Sequence, residues 1–310
     1  MSVEKPHDKF FKSTFSIKEV AEDYIQQFLP KEISSNLDLK TLEHSDGSYV
    51  DDVLSEHFSD IVYYCESKGN EAIRISLLFE HKSYVPQYPH LQLLRYLVNA
   101  WENDLKDKKS LTVTIPIILY HGQRKWHYKP FNEYFKLPNN ELTKYIPNFD
   151  YHLSDLRDYS DEALLQLKAG FLINTLLIFK YIWNVEYLQA NSAKIFVYSE
   201  DYIESERGKN FLKALFVYIG NATKLKPKTV SELYKNLPKK ISDLAMTTFE
   251  AIKEEGKKEG KKEGILLEKR NTIVKLKEEF PNWSTAKIAE FTNSTEKFVA
   301  RVLKEHNQNK

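Results

Sequence analysis

Asp60 and, twenty residues later, Glu80-His81-Lys82 are the residues of this chain whose types and spacing best fit catalysis. The second group closes an apolar run, Ile73-Arg74-Ile75-Ser76-Leu77-Leu78-Phe79, that reads as a strand. A strand sends alternate side chains to opposite faces, so Glu80 and Lys82 point the same way and His81 points the other. A carboxylate fixed beside an ammonium, with a second carboxylate on a neighbouring strand, can hold a divalent cation and steady an attacking water. That is the minimum equipment for metal-assisted phosphodiester hydrolysis. Any lone Glu-x-Lys is far more often a surface pair on a strand. Here the pair sits at a strand end, an Asp begins the preceding strand, and the helix that follows offers Gln92. A further acid, Asp8, lies on the first helix beside His7.

The elements that must position these residues follow from periodicity. Phe10, Phe11, Phe15, Val20, Ala21, Tyr24, Ile25 and Phe28 predict one helix from Asp8 to about Leu29, ended by Pro30. Short strand-like stretches follow at Leu37–Leu42 and Ile61–Cys65. Ser67-Lys68-Gly69-Asn70 makes a turn, so the Asp60 and Glu80 strands form a hairpin with both acids at one end. Pro86 and Pro89 lead into a helix from about Tyr88 to Asp104, with a predicted apolar stripe of Leu91, Leu94, Val98 and Trp101 and with Gln92 to one side. Thr112–Tyr120 is a β-branched run in which Pro116 demands a bulge or an edge. The order helix, three strands, helix, strand predicts an α/β core.

From about Asp161 onward the pattern is helical: Glu162–Trp183, Asp201–Asn221, Lys228–Leu237 and a long stretch from about Lys239. The repeat around Gly256, Gly260 and Gly264 suits a solvated charged connector more than a close helix–helix seam. After Asn271–Phe280, two short helices capped by Ser284 and Ser294 have helix-turn-helix dimensions, or form a helical hairpin that packs on a neighbour or dimerises. The expected division is therefore a core at 1–155, a helical extension packing on it at 156–250, and a charged connector with a helix-turn-helix-like module at 251–310.

Composition bounds the rest. The 310 residues are 42% hydrophobic and 13% aromatic, enough for a packed core. One cysteine, Cys65, excludes an internal disulfide and a cysteine-rich zinc site, and fits a reducing cytoplasm. The start of the chain is not a signal peptide, and the most apolar helix contains Lys168 and Lys180, so no membrane partner is expected. Net charge is +1; from Ala251 onward 14 Lys and Arg stand against 10 Asp and Glu, leaving the remainder slightly acidic. A basic appendage that helps hold DNA suits this distribution. No glycine-rich phosphate loop supports a nucleotide cofactor. The histidines show no zinc-ligand spacing; His81 reads as a packing residue, His121 as a satisfied hydrogen-bonder and Cys65 as core.

The series His7-Asp8-Lys9-Phe10-Phe11-Lys12, Phe28-Leu29-Pro30, Ser59-Asp60-Ile61-Val62-Tyr63, Glu80-His81-Lys82-Ser83, Arg95-Tyr96 and Pro116-Ile117-Ile118-Leu119-Tyr120-His121-Gly122, with Trp126 after it, resembles the recombination-promoting nuclease (Rpn) family. Its members are often labelled putative transposases and belong to the PD-(D/E)xK nuclease superfamily. The specific motifs cover residues 5 to 130. The resemblance implies a restriction-endonuclease-like αβββαβ core and a magnesium-dependent DNA endonuclease, with manganese as a substitute metal. By motif, Asp60 and Glu80 would be the metal-binding carboxylates and Lys82 would orient the water. Asp8 would be the metal-site acid of the first helix, and Gln92 the polar residue turned toward the metal. Many relatives carry glutamine where Lys82 stands, so the lysine favours activity. DNA is the implied partner, and a homodimer is expected because cutting both strands needs two sites. The competing reading is a catalytically inactive nuclease fold kept for binding DNA or protein.

Overall fold

The computed structural model describes residues 5–45, 61–69, 74–223 and 225–308, and the chain divides into two compact units, Ser2–Thr248 and Phe249–Lys310. In the first unit the sequence begins with two helices where one was expected, α1 (Pro6–Phe15) and α2 (Lys18–Phe28). The break falls at Ser16 and Ile17, where the Ile17 backbone is extended and its carbonyl starts α2. A short α3 (Lys31–Ser34) then leads to β1 (Leu37–His44), β2 (Ile61–Ser67) and β3 (Arg74–Lys82). Helix α4 (Pro89–Lys106) crosses to β4 (Val113–Tyr120), and β5 (His152–Asp155) completes the sheet.

The protein is thus a mixed α/β structure built on a five-stranded sheet of order β1-β2-β3-β4-β5. β1, β2 and β3 run antiparallel, whereas β3, β4 and β5 run parallel. The expected hairpin is present, with Ile61 paired to Phe79 and Tyr63 to Leu77. Pairing to β5 begins only at Ile117, so Pro116 occupies the last rung before β4 gains its second neighbour and no ladder bond is lost on that side.

The two faces of the sheet are covered differently. On one, Val62, Ile118 and Tyr120 pack with Leu93, Tyr96 and Ala100 of α4 and with Trp126 and Tyr151. On the other, Phe79 meets Phe15 and Tyr24, and the Tyr63 hydroxyl donates to the Phe15 carbonyl at 2.8 Å. Each such buried ring contributes about 2–3 kcal/mol. Cys65 is buried in this sheet, and burial pushes its thiol up.

Helices α5 (Asp161–Leu165), α6 (Gly170–Tyr181), α7 (Val185–Ile195), α8 (Glu206–Ala222) and α9 (Pro227–Lys235) follow. α6 and α8 pack against α1. Asp23 of α2 accepts hydrogen bonds at 2.8 Å from the amides of Lys168 and Ala169, fastening the start of α6 to the N-terminal helices. α10 (Lys239–Glu279) is one continuous helix that includes the glycine repeat. In the second unit, Ile273 and Leu276 form a small core with Ile288 and Ala289 of α11 (Thr285–Phe291) and Val299 and Val302 of α12 (Glu296–Gln308). Ser284 caps α11 as expected, but the hydroxyl accepting from the first turn of α12 is Thr295, bonded to the Phe298 amide, while Ser294 donates to the Thr292 carbonyl. No described helix is long and apolar enough to cross a membrane.

Candidate active site

Strand alternation places Glu80 and Lys82 on the α4 face of the sheet, in register with Ile118 and Tyr120. Both are deeply buried, at 1% and 6% exposure, and the Lys82 ammonium donates to Glu80 Oε1 at 2.7 Å. A buried carboxylate needs such a partner, since each ion loses several kcal/mol of hydration. The pairing is incomplete: Glu80 Oε2 is buried and meets no hydrogen-bond donor among the described residues. An uncommitted carboxylate oxygen beside a lysine suits a hard cation, which takes oxygen ligands and keeps much of its water. Glu80 therefore fits a magnesium ligand. The described residues alone do not complete such a site, for no group of three His, Cys, Asp or Glu among them is placed to hold a metal ion. Asp60, the second carboxylate expected from sequence, lies outside the described residues; its neighbour Ile61 pairs with Phe79, the neighbour of Glu80.

Gln92 lies in the first turn of α4, which starts just past the end of β3. The helix buries Leu93, Tyr96, Leu97, Ala100 and Asp104, and leaves Leu91 and Val98 46% and 41% exposed, so the predicted stripe is rotated from the real one. Both sets keep helical spacing. Hydropathy favours the other one because the true stripe contains Tyr96 and Asp104, and the burial of Asp104 is compensated by a hydrogen bond from the Thr112 amide at 2.8 Å. The rotation carries Gln92 toward the sheet, one turn before Tyr96, with its Nε2 buried and without an acceptor among the described residues.

Asp8 and His81 meet on the opposite face. His81 Nδ1 lies 3.4 Å from Asp8 Oδ1, and the His81 ring stacks on Phe11, His121 and Phe179. His7 completes the group, 5.0 Å from the His121 ring and hydrogen-bonded to the Tyr218 hydroxyl at 2.8 Å. His121 Nδ1 donates to the Phe179 carbonyl at 3.1 Å. Burial lowers all three imidazoles: His7 to about 4, His81 below its ordinary value despite Asp8, and His121 well below, assisted by the other two. They are neutral at physiological pH. His81 is thus a packing residue and His121 a hydrogen-bonded one, and Asp8 meets His81 on the face opposite the Glu80–Lys82 pair.

The mouth of the site forms where β3, β4 and β5 end. Tyr120 folds back over Gly122, where an added Cβ would strike the Tyr120 ring at 2.5 Å, and its hydroxyl donates to the Arg124 carbonyl at 2.6 Å. Arg157 stacks over that ring and grips Asp155 through Nε and Nη2 at 3.0 and 2.6 Å. Burial opposes the charge on Asp155, but the Arg157 hydrogen bonds hold its carboxyl below the usual range. Beside Tyr120 a cavity of about 290 Å³ opens, lined by Ser83, Tyr84, Gln123, Arg124 and Trp183 among others. Sequence reasoning singled out none of these lining residues. Tyr84 was within reach, two positions past Lys82, whereas nothing in the sequence links Trp183, a hundred residues away, to this strand end.

Comparison with known proteins bears on this geometry. Residues 5–207 match the family described as "Putative transposase, YhgA-like". The chain belongs to the Rpn and YhgA-like transposase family. Recombination-promoting nuclease RpnA of Escherichia coli K12 is 26% identical over 259 residues, covering 81% of this chain and 84% of the relative. RpnC of the same organism is 26% identical over 162 residues, 52% of this chain and 54% of the relative, so the chain spans about half of that protein's length. A third E. coli K12 relative, named "Putative inactive recombination-promoting nuclease-like protein YjiP", is 30% identical over 91 residues, covering 29% of this chain and 87% of the relative. No solved structure matches. In this Rpn-family chain the matched region holds Asp8, Glu80, Lys82 and Gln92 together with every strand of the sheet.

Proposed function

We propose that the chain is a magnesium-dependent endonuclease that hydrolyses DNA phosphodiesters in recombination or mobile-element biology, on a restriction-endonuclease-like core. One observation carries the reading: a buried glutamate at the end of a central strand, one oxygen held by Lys82 and the other uncommitted. The relatives named recombination-promoting nucleases support it, as does the element order from α1 to β4. Glu80 and Asp60 would hold the cation, which when bound lowers the pKa of a coordinated water. Lys82, fixed 2.7 Å from Glu80, would orient an attacking water and neutralise charge developing on the phosphate. Gln92 offers an uncommitted amide from α4, and Asp8, beside His81, is the first-helix acid of this reading. Plasmid cleavage with magnesium and with chelator, wild type beside Asp60→Ala and Lys82→Ala, tests it. Metal-dependent nicking lost in Asp60→Ala and reduced in Lys82→Ala is expected; equal nicking by all three sinks the assignment.

The second reading, an inactive nuclease fold that binds DNA or protein, draws on the similarity to YjiP. Calorimetric titration separates the two: absence of magnesium and manganese binding favours it. The basic Phe249–Lys310 unit and a homodimer complete the proposal, with Lys297, Arg301 and Lys304 of α12 available for phosphates. A chain ending at Thr248 that binds DNA with unchanged affinity and salt dependence removes the α12 part.

A further inference from the structure

The cavity beyond Lys82 offers more than space, and we infer that it stacks one unpaired nucleobase beside the scissile phosphate, making single-stranded or gapped DNA the preferred substrate. This rests on the nuclease reading above and adds a substrate class to it. Three aromatic residues line the cavity: Tyr120 is buried, while Tyr84 and Trp183 are exposed at 64% and 38%. The Tyr84 ring centroid lies 6.0 Å from the Lys82 ammonium, so a base stacked there lies close to the site. Trp183 is fixed to the same strand end: its Nε1 donates to the His121 carbonyl at 2.8 Å, and the His121 amide donates to the Lys82 carbonyl at 3.1 Å. One wall is therefore preorganised and the other stands in solvent.

The chemistry of the lining selects the ligand. Arg124 is exposed at the rim and suits a flanking phosphate, while Gln123 and Ser83 present both donors and acceptors to a base edge. At about 290 Å³ the cavity is at the low end for small ligands, large enough for one ring system and too small for a base pair. Bases in a duplex have both faces covered and must be extruded at a cost before they enter; an unpaired base enters without that cost. Stacking on an aromatic side chain tolerates every base, so the site discriminates by strandedness and not by sequence.

The test uses the full chain and an oligonucleotide bearing 2-aminopurine, single-stranded or annealed to its complement. Fluorescence quenching is measured in chelator, and cleavage of the same oligonucleotides is measured with magnesium. The wild type should quench the single strand and bind it about tenfold more tightly than the duplex. Tyr84→Ala should abolish that preference, and Tyr84→Phe, which keeps the ring, should retain it. Equal binding of single strand and duplex by the wild type, or an undiminished preference in Tyr84→Ala, overturns the inference. Tyr84-dependent quenching without cleavage by the wild type overturns the nuclease reading and leaves the stacking site standing.

Discussion

At the end of β3, three consecutive side chains divide between two environments of similar depth. Glu80 and Lys82 enter the α4 face as a charged pair; His81, between them, enters the α1 and α6 face as one ring in an aromatic stack. All three are almost completely buried. On the first face the Glu80 carboxyl and the Lys82 amine are paired at 2.7 Å and one oxygen is left open. On the second, burial removes charge from three imidazoles and hydrogen bonds to Asp8, Phe179 and Tyr218 hold them. The lesson is that burial alone does not mark a site. What marks it is a buried polar pair left incompletely satisfied where its neighbours are packed as neutral rings.

Substitutions on the two faces should separate accordingly. The largest effect belongs to Glu80→Gln, which should lower the plasmid cleavage rate by about 10²–10³-fold, the usual consequence of losing a charged group at a reacting phosphate. A folded Glu80→Gln protein cutting at the wild-type rate removes the distinction between the faces. Next comes a stability cycle in urea. Glu80→Leu should cost about 3–5 kcal/mol by removing one partner of a buried ion pair, whereas Glu80→Leu with Lys82→Met should recover most of it.

On the other face the expected handle is pH. His7, His81 and His121 have folded pKa values below their unfolded ones, so the native state binds fewer protons. Their contribution is present above pH 6.5 and is lost as pH falls toward 4, up to about 3 kcal/mol from His7. Urea midpoints across that range should fall for the wild type and fall less for His7→Phe; an identical slope contradicts the assignment. The smallest effect is His81→Phe, a near volume-conserving change that should cost under about 1.5 kcal/mol and leave the cleavage rate near wild type. A large rate loss in His81→Phe would tie the aromatic face to the chemistry and break the separation.

Much of this architecture is legible in the sequence because period and turn chemistry agree: the β2–β3 hairpin, the Glu80/Lys82 pairing and the α4 crossover all follow from alternation, Gly69 and the prolines. The break between α1 and α2 is not legible, since Phe15 and Val20 continue one helical phase and neither Gly nor Pro marks Ser16-Ile17. The α4 face misleads because two stripes share one period and the buried stripe includes an aspartate with a backbone partner. α10 runs through Gly256, Gly260 and Gly264, each of which weakens a helix by about 1 kcal/mol, yet the stretch read as a charged connector is the middle of one continuous helix. At the site, residue type and strand parity identify Glu80 and Lys82. The open oxygen, the imidazole stack and the Trp183 wall depend on packing across more than a hundred residues, which no local pattern encodes.

The hydrogen bond between His7 and Tyr218 joins residues 211 positions apart. Translation adds about 5–20 residues per second, so about 10–40 s separate the emergence of α1 from that of the helix that seals it. During that interval Phe10 lacks its Tyr218 neighbour and His7 lacks its hydrogen-bond partner. Whatever Glu80 and Lys82 do, they gain a finished scaffold only after most of the first unit has been synthesised, which delays the onset of any activity beyond the making of the strand that bears it.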